Sequence, residues 1–176
     1  MKKILVVVII MGIIVWLNKD VEQVVIPHEA IRFRVIGNSN SKKDQDIKKI
    51  VQGSVEKEAS LILENVHTLE LGREKIKSNL DQMKEIIDKT LKEYQINQAY
   101  KLSYGEHDFP EKIYNDIIYP KGSYESLVIT LGDGLGDNFW CIMFPPLCSL
   151  EVEKENMEEV EYKSFVKEQI KHYFSH

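Results

Sequence analysis

The apolar residues of this 176-residue chain change period twice, and the change limits the folds open to it. In AIRFRVIG (residues 30–37), Ile31, Phe33 and Val35 alternate with Arg32 and Arg34. Period two in β-branched and aromatic residues marks a strand with one buried face. GNSNS follows, a turn cluster whose Ser and Asn residues suit a helix cap. From Asp44 to about Val66 the period lengthens. Ile47, Ile50, Val51, Val55, Ala59, Ile62 and Val66 recur at steps of three and four, the stripe of an amphipathic helix. A break at residues 67–72 precedes a second helical stretch, from about Arg73 to Tyr94, carried by Ile76, Leu80, Met83, Ile87, Leu91 and Tyr94.

After Asn97 the period returns to two. Tyr100, Leu102 and Tyr104 predict one strand, and ESLVITLG (125–132) and NFWCIMF (138–144) predict two more. Pro110 and Pro120 punctuate a long loop before them. Met157, Val160, Phe165, Val166, Ile170 and Tyr173 mark a final helix ending near Phe174. The expected fold is a single α/β domain of α+β type. Its mostly antiparallel sheet is covered by a helical hairpin and a C-terminal helix.

Upstream, Lys2 and Lys3 precede fourteen apolar residues, 4–17, and then Asn18, Lys19 and Asp20. A basic start, an apolar run and a polar stop is the layout of an export signal. As a helix the run is about 21 Å long at ~1.5 Å per residue, short of the ~30 Å hydrocarbon core. Trp16, Leu17 and Asn18 stand where a cleavage site wants small residues. Residues 1–17 are therefore open to two readings, a cleaved signal sequence or an anchor that attaches the chain to a membrane. In both, the lysines stay in the cytoplasm and the rest crosses. Residues 18–29 read as a short linker and residues 30–176 as the exported domain.

Export gives the two cysteines meaning. Cys141 and Cys148 are close in sequence, even in number, and form a candidate disulfide. A structural zinc wants four ligands, and neither cysteine sits in a Cys-x-x-Cys pair. Between the last two strands, GDGLGD (132–137) lacks the helix that a dinucleotide loop feeds and the Gly-Lys-Ser/Thr of a Walker loop. It reads as a hairpin connection whose glycines supply positive φ. Asp133, Asp137 and Asn138 offer oxygen ligands, but Phe144 occupies the position where a calcium loop of the EF type places glutamate. His107 is the one histidine suited to assist Cys141 as a nucleophile. No HExxH or GxSxG motif is present, and no cofactor or metal is expected. A net charge of −5 without a basic run argues against nucleic acid. Two classes remain: recognition of another macromolecule outside the cytoplasm, or a secreted or membrane-anchored hydrolase with Cys141 as nucleophile.

Two blocks of the sequence resemble a known family. IRFRVIGNSNSKKDQDIKKIV (31–51) is similar to the Arg-x-Arg-Val-Ile-x-Asn-Ser-x-Ser block of stage II sporulation protein R. GLGDNFWCIMFPPLC (134–148) is similar to that family's Gly-x-Gly-x-Asn-Trp-Trp-Cys-x-x-Phe-Pro-Pro-Leu-Cys block. FPEKIY (109–114) and YPKGSYESL (119–127) match its intervening segments. Gly37, Asn40 and Phe139 depart from the family's usual Ala, Asp and Trp.

The resemblance implies a signalling protein of endospore formers, made in the forespore and exported toward the mother cell. There the family triggers a membrane-embedded aspartic protease that processes the precursor of sigma factor E. It is an activator, not the protease. The partner-binding residues expected from the matched blocks are Arg32, Arg34, Asn38, Ser39, Asp44, Gln45, Asn138 and Trp140. Asn38, Ser39 and Asp44 also suit a turn and helix cap, and Trp140 suits a core. Arg32 and Arg34 are the sharpest candidates, because same-face arginines attract carboxylates, internal or a partner's.

Overall fold

The computed structural model describes residues 24–114, 117–148 and 159–174. Its main sheet has four strands in the order β3-β6-β2-β7. At the centre, β2 (Ile31–Ile36) pairs in parallel with β6 (Gly122–Leu131) and antiparallel with β7 (Asn138–Phe144). The other edge is β3 (Tyr100–Phe109), antiparallel to β6. A smaller sheet contains β1 (Val24–Val25), β5 (Ile117–Tyr119) and β4 (Lys112–Tyr114), in the order β1-β5-β4. The helices are α1 (Lys42–Ile62), α2 (Leu69–Ser78), α3 (Leu80–Glu93) and α4 (Glu159–Phe174). The fold is α+β, as the alternation of periods predicts.

One face of the main sheet and the helical stripes form the larger core. Ile47, Val51, Val55 and Ala59 of α1 meet Met83, Ile87 and Leu91 of α3 above Phe33, Val35, Leu127, Ile129 and Leu131. Fully burying one such side chain contributes about 1.5–3 kcal/mol. Ser41 caps α1, its Oγ accepting from the Asp44 N–H at 3.1 Å, and Thr68 caps α2 through the Leu71 N–H at 3.3 Å. Each cap contributes about 1 kcal/mol.

A smaller core lies on the opposite face, at the end of the sheet marked by Ile142. Val24, Ile26, Ala30, Ile117, Ile142, Leu147 and Val166 are buried there, with Phe165, Ile170 and Phe174 packed alongside. Strands β1 and β5 together with α4 thus cover one end of this face. Tyr173 of α4 reaches the larger core, its ring edge-on to Phe144 with centroids 5.0 Å apart.

Four local readings change. The loop at 132–137 is not a hairpin, because β2 lies between β6 and β7. The loop spans two inter-strand spacings, about 9–10 Å, across the end of β2. The second predicted helix is two helices broken at Asn79, whose backbone turns to φ −110°, ψ 15°. The Asn79 side-chain amide donates to the Lys75 carbonyl at 2.8 Å, a local bond that competes with the helix. Ile76, Leu80 and Met83 keep their spacing across the break, so the apolar period conceals it. Two segments read without regular structure carry strands: residues 24–25 within the linker, and β4 and β5 within the proline-bounded loop. Their apolar side chains, Val24 and Ile117, build the smaller core. No helix among the described residues is long and apolar enough to cross a membrane. The apolar run at 4–17 and the first part of the linker lie outside the described residues.

Candidate functional site

The chemistry-bearing residues fall into three places: a disulfide in the core, a clamp between two loops, and a cation–aromatic ladder on the sheet face away from the helices.

Cys141 and Cys148 are joined by a disulfide, with Cα atoms 5.4 Å apart. Both belong to the larger core beneath the helices, and Cys141 pairs with Phe33 across β2 and β7. A carboxylate oxygen of Glu56 and the two Sγ atoms all lie within 4.8 Å of one another. His107 sits on the other side of the sheet. Its Nδ1 lies 2.8 Å from the Ser126 Oγ and its Nε2 3.0 Å from the Ser103 Oγ. The reading of Cys141 as a nucleophile is therefore corrected. The sulfur is bonded and buried, and the sheet separates it from the histidine.

The clamp joins the β2–α1 turn to the glycine loop. Asn38 uses its whole amide: Oδ1 accepts from the Asp133 N–H at 3.0 Å, and Nδ2 donates to Asp44 Oδ2 at 2.9 Å. The Ser39 hydroxyl donates to the same Asp44 oxygen. Gln45 Nε2 donates to the Ser39 carbonyl at 2.8 Å, and the buried Lys48 ammonium joins Gln45 Oε1 (2.6 Å) to the Asp137 carbonyl (3.0 Å). Asn40 meets Asp137 twice, accepting from its N–H at 2.6 Å and donating to its carboxylate at 3.3 Å. Backbone bonds from Leu135 N to Asn38 O (3.0 Å) and from Gly136 N to Gly37 O (2.8 Å) complete the seam. Gly132 and Gly134 take φ of 53° and 66°. A methyl added at Gly136 would overlap the Ser39 carbonyl. The glycines thus serve close backbone approach and positive φ. Hydroxyl and amide donors, Ser39 foremost, hold the Asp44 carboxyl below its ordinary pKa. Burial lowers the Lys48 ammonium.

The ladder begins with Arg32, only 1% exposed. Its guanidinium lies 3.4 Å from the Tyr124 ring centroid and 5.2 Å from that of Phe109. The Arg34 guanidinium stands 5.7 Å from Phe109 and 5.4 Å from Trp140, and Lys112 Nζ lies 5.3 Å from Trp140. Rings and cations alternate along the sheet, each contact contributing about 0.5–2 kcal/mol. Arg32 Nη2 donates to the Pro120 carbonyl at 3.5 Å. Arg32 Nε and Nη1, Arg34 Nε and Asn138 Oδ1 are buried without a hydrogen-bond partner. Desolvation lowers the pKa of both guanidinium groups.

Of the eight residues expected to bind a partner, four (Asn38, Ser39, Asp44 and Gln45) lie in the clamp, bonded to one another and to the glycine loop. Arg32, Arg34 and Trp140 form the ladder. Asn138 pairs with Ile36 at the open end of the same face. Sequence reasoning overlooked Asn40, Lys48 and Asp137 in the clamp, and Phe109 and Tyr124 in the ladder. The alternation of Phe109, His107 and Lys101 on β3 was the available signal for the latter.

Residues 27–154 match the family described as stage II sporulation protein R. The chain belongs to this family. It is 38% identical over 149 residues to stage II sporulation protein R of Bacillus subtilis (strain 168), an alignment covering 84% of this chain and 66% of that relative. No solved structure matches. The stage II sporulation protein R match takes in the clamp, the disulfide and the ladder together. It begins at Pro27, after β1, so Val24 and Ile26 of the smaller core lie before the matched region and Val166 lies after it.

Proposed function

We propose that this chain is the forespore-to-mother-cell signal of its sporulation programme. The exported domain reaches the space between the two cells, attached through residues 4–17 or released from them. There it docks on a membrane-embedded aspartic protease of the mother-cell membrane and promotes processing of the sigma factor E precursor. The protein acts as an activator and not as the protease. Binding the active form of the protease better than the inactive one is sufficient for this.

The observation that carries the reading is family membership across residues 27–154. Two features of the fold support it. Arg34 and Trp140 of the ladder are only half-buried, so this face keeps a cation and an aromatic edge within reach of a partner. The disulfide suits an exported protein. In an endospore former lacking its own copy of this gene, expressing the chain in the forespore restores conversion of the sigma precursor, followed by immunoblot. Unrestored conversion by a chain that is made and exported overturns the reading.

A further inference from the structure

The smaller sheet has one covered face and one open face. Side chains of paired residues point the same way, and the direction alternates along each strand. Val24 of β1 pairs with Ile117 of β5, and both are buried in the smaller core. The next residue on each strand points the other way. Val25 pairs with Ile118, and Ile118 pairs with Ile113 of β4, so these three form an aliphatic row across all three strands. Val25 is 51% exposed and Ile113 58% exposed, with Ile118 half-buried between them.

No charged side chain stands in the row. Lys112 pairs with Tyr119, on the core side of the sheet, and its Nζ reaches the Trp140 ring. Glu111 and Lys121 adjoin β4 and β5 in sequence, and Asp116 between the two strands lies outside the described residues. These charges are of both signs, so apolar area and not charge selects what covers the row. The layout of the chain says what that is. The apolar run 4–17 ends six residues before Val24. Six residues reach about 20 Å when fully extended, less than the ~30 Å width of a small domain. With residues 4–17 attached to a membrane, only the end of the domain that carries β1 can meet the bilayer.

We infer that the open face of the smaller sheet rests on the bilayer, with Val25, Ile118 and Ile113 seated at the boundary between lipid headgroups and acyl chains. The inference rests on the reading in which residues 4–17 stay attached, and it deepens that reading by giving the domain a fixed side toward the lipid. Three aliphatic side chains bind a lipid surface weakly on their own. A short tether makes the contact intramolecular, so a weak contact is enough to hold the domain down.

The test uses the full oxidised chain in vesicles of phosphatidylethanolamine and phosphatidylglycerol. Both native cysteines are held in their disulfide, so Ile113→Cys or Leu135→Cys, each at an exposed position, supplies a single thiol for the fluorophore NBD. On Ile113→Cys the emission is expected to shift to the blue and to be quenched by bromine on the acyl chains. On Leu135→Cys, in the glycine loop at the far end of β2, neither effect is expected. The shift is expected to persist at high salt, which screens charge and not apolar contact, and to be lost when Val25→Asp is added. An unshifted label on Ile113→Cys, or an equal shift on Leu135→Cys, overturns the inference. A shift that grows with the ratio of protein to lipid marks a second copy against the row and also overturns it. Flotation of the vesicles separates the inference from the reading beneath it. A chain that floats with its Ile113→Cys label in water loses the docked face and keeps the attachment, whereas a chain that does not float loses both.

Discussion

The Arg32 guanidinium lies face-on to Tyr124, 3.4 Å from the ring centroid, and meets aromatic faces where an ion pair was expected. No carboxylate among the described residues forms a salt bridge with it. The strand pattern that placed Arg32 and Arg34 on one face was sound, but the chemistry around them comes from Phe109, Tyr124 and Trp140.

That environment makes the type of cation matter. Lysine cannot stack as a plane and is more strongly hydrated. Arg32→Lys is expected to lower unfolding free energy by about 2 kcal/mol. Arg32→Met, apolar and of similar reach, is expected to stay within about 1 kcal/mol of wild type. Urea denaturation measures both. Equal losses from the two substitutions would contradict the aromatic account.

The clamp predicts opposite outcomes for two glycine substitutions. Gly53 faces open space on α1, with nothing within 4 Å of an added Cβ, so Gly53→Ala stabilises by about 0.5–1 kcal/mol. Gly136→Ala forces a methyl into the Ser39 carbonyl and destabilises by at least about 1–3 kcal/mol. Asn38→Ala, which leaves the Asp133 N–H and Asp44 without their partner, costs about 1–3 kcal/mol. Thermal unfolding of the three variants side by side checks the set.

Two titrations have definite signs. Asp44 has a lowered pKa in the folded chain, chiefly from the Ser39 hydroxyl. Its stabilisation is present above the ordinary carboxylate range, about 4, and is lost as pH falls through the lower folded value. Asp44→Asn should therefore flatten the acid limb of the stability profile. Tyr100 is pushed up to about 12, first by burial and then by its bond to Asp88. Its contribution is present below the ordinary tyrosine value of about 10 and is lost as pH rises toward the folded one. Tyr104 is raised as well, by burial and then by its bond to Glu125, so absorbance at alkaline pH should show two tyrosines ionising late, of which Asp88→Asn should bring one earlier.

The disulfide closes a short loop, with its cysteines seven positions apart. Chain-entropy reasoning gives about 2.5 kcal/mol for such a loop. Replacing Cys141 and Cys148 together with Ser should lower stability by roughly that amount in urea unfolding. At temperatures where the variant remains folded, signalling should persist. Loss of signalling in a folded double variant would revive a chemical role for the sulfur.

Much of the fold was legible because burial imposes its period on each element. Phe33 and Val35 of β2, and Val51 and Val55 of α1, occupy the core that their spacing predicts. Strand order was not legible. Local pattern places β6 and β7 next to each other in sequence, whereas β2 separates them in space. The break at Asn79 also escaped, since the apolar stripe continues through it. In the site, Asn38, Ser39 and Asp44 were visible as turn and cap residues. Their bonds to residues 133–137 depend on pairing across about a hundred positions, which a local pattern does not encode. The ladder was half visible: Arg32, Arg34 and Trp140 stood out, but Phe109 and Tyr124 join them only once β3 pairs with β6.

The central claim, that the exported domain activates the protease, is tested most directly by reconstitution in a non-sporulating host. The mother-cell protease and the sigma factor E precursor are produced together with this chain, and precursor conversion is read by immunoblot. Conversion is expected with the full chain and is expected to be absent when residues 1–17 are removed, which keeps the domain inside. Conversion without export, or none with an exported and folded domain, would contradict the account.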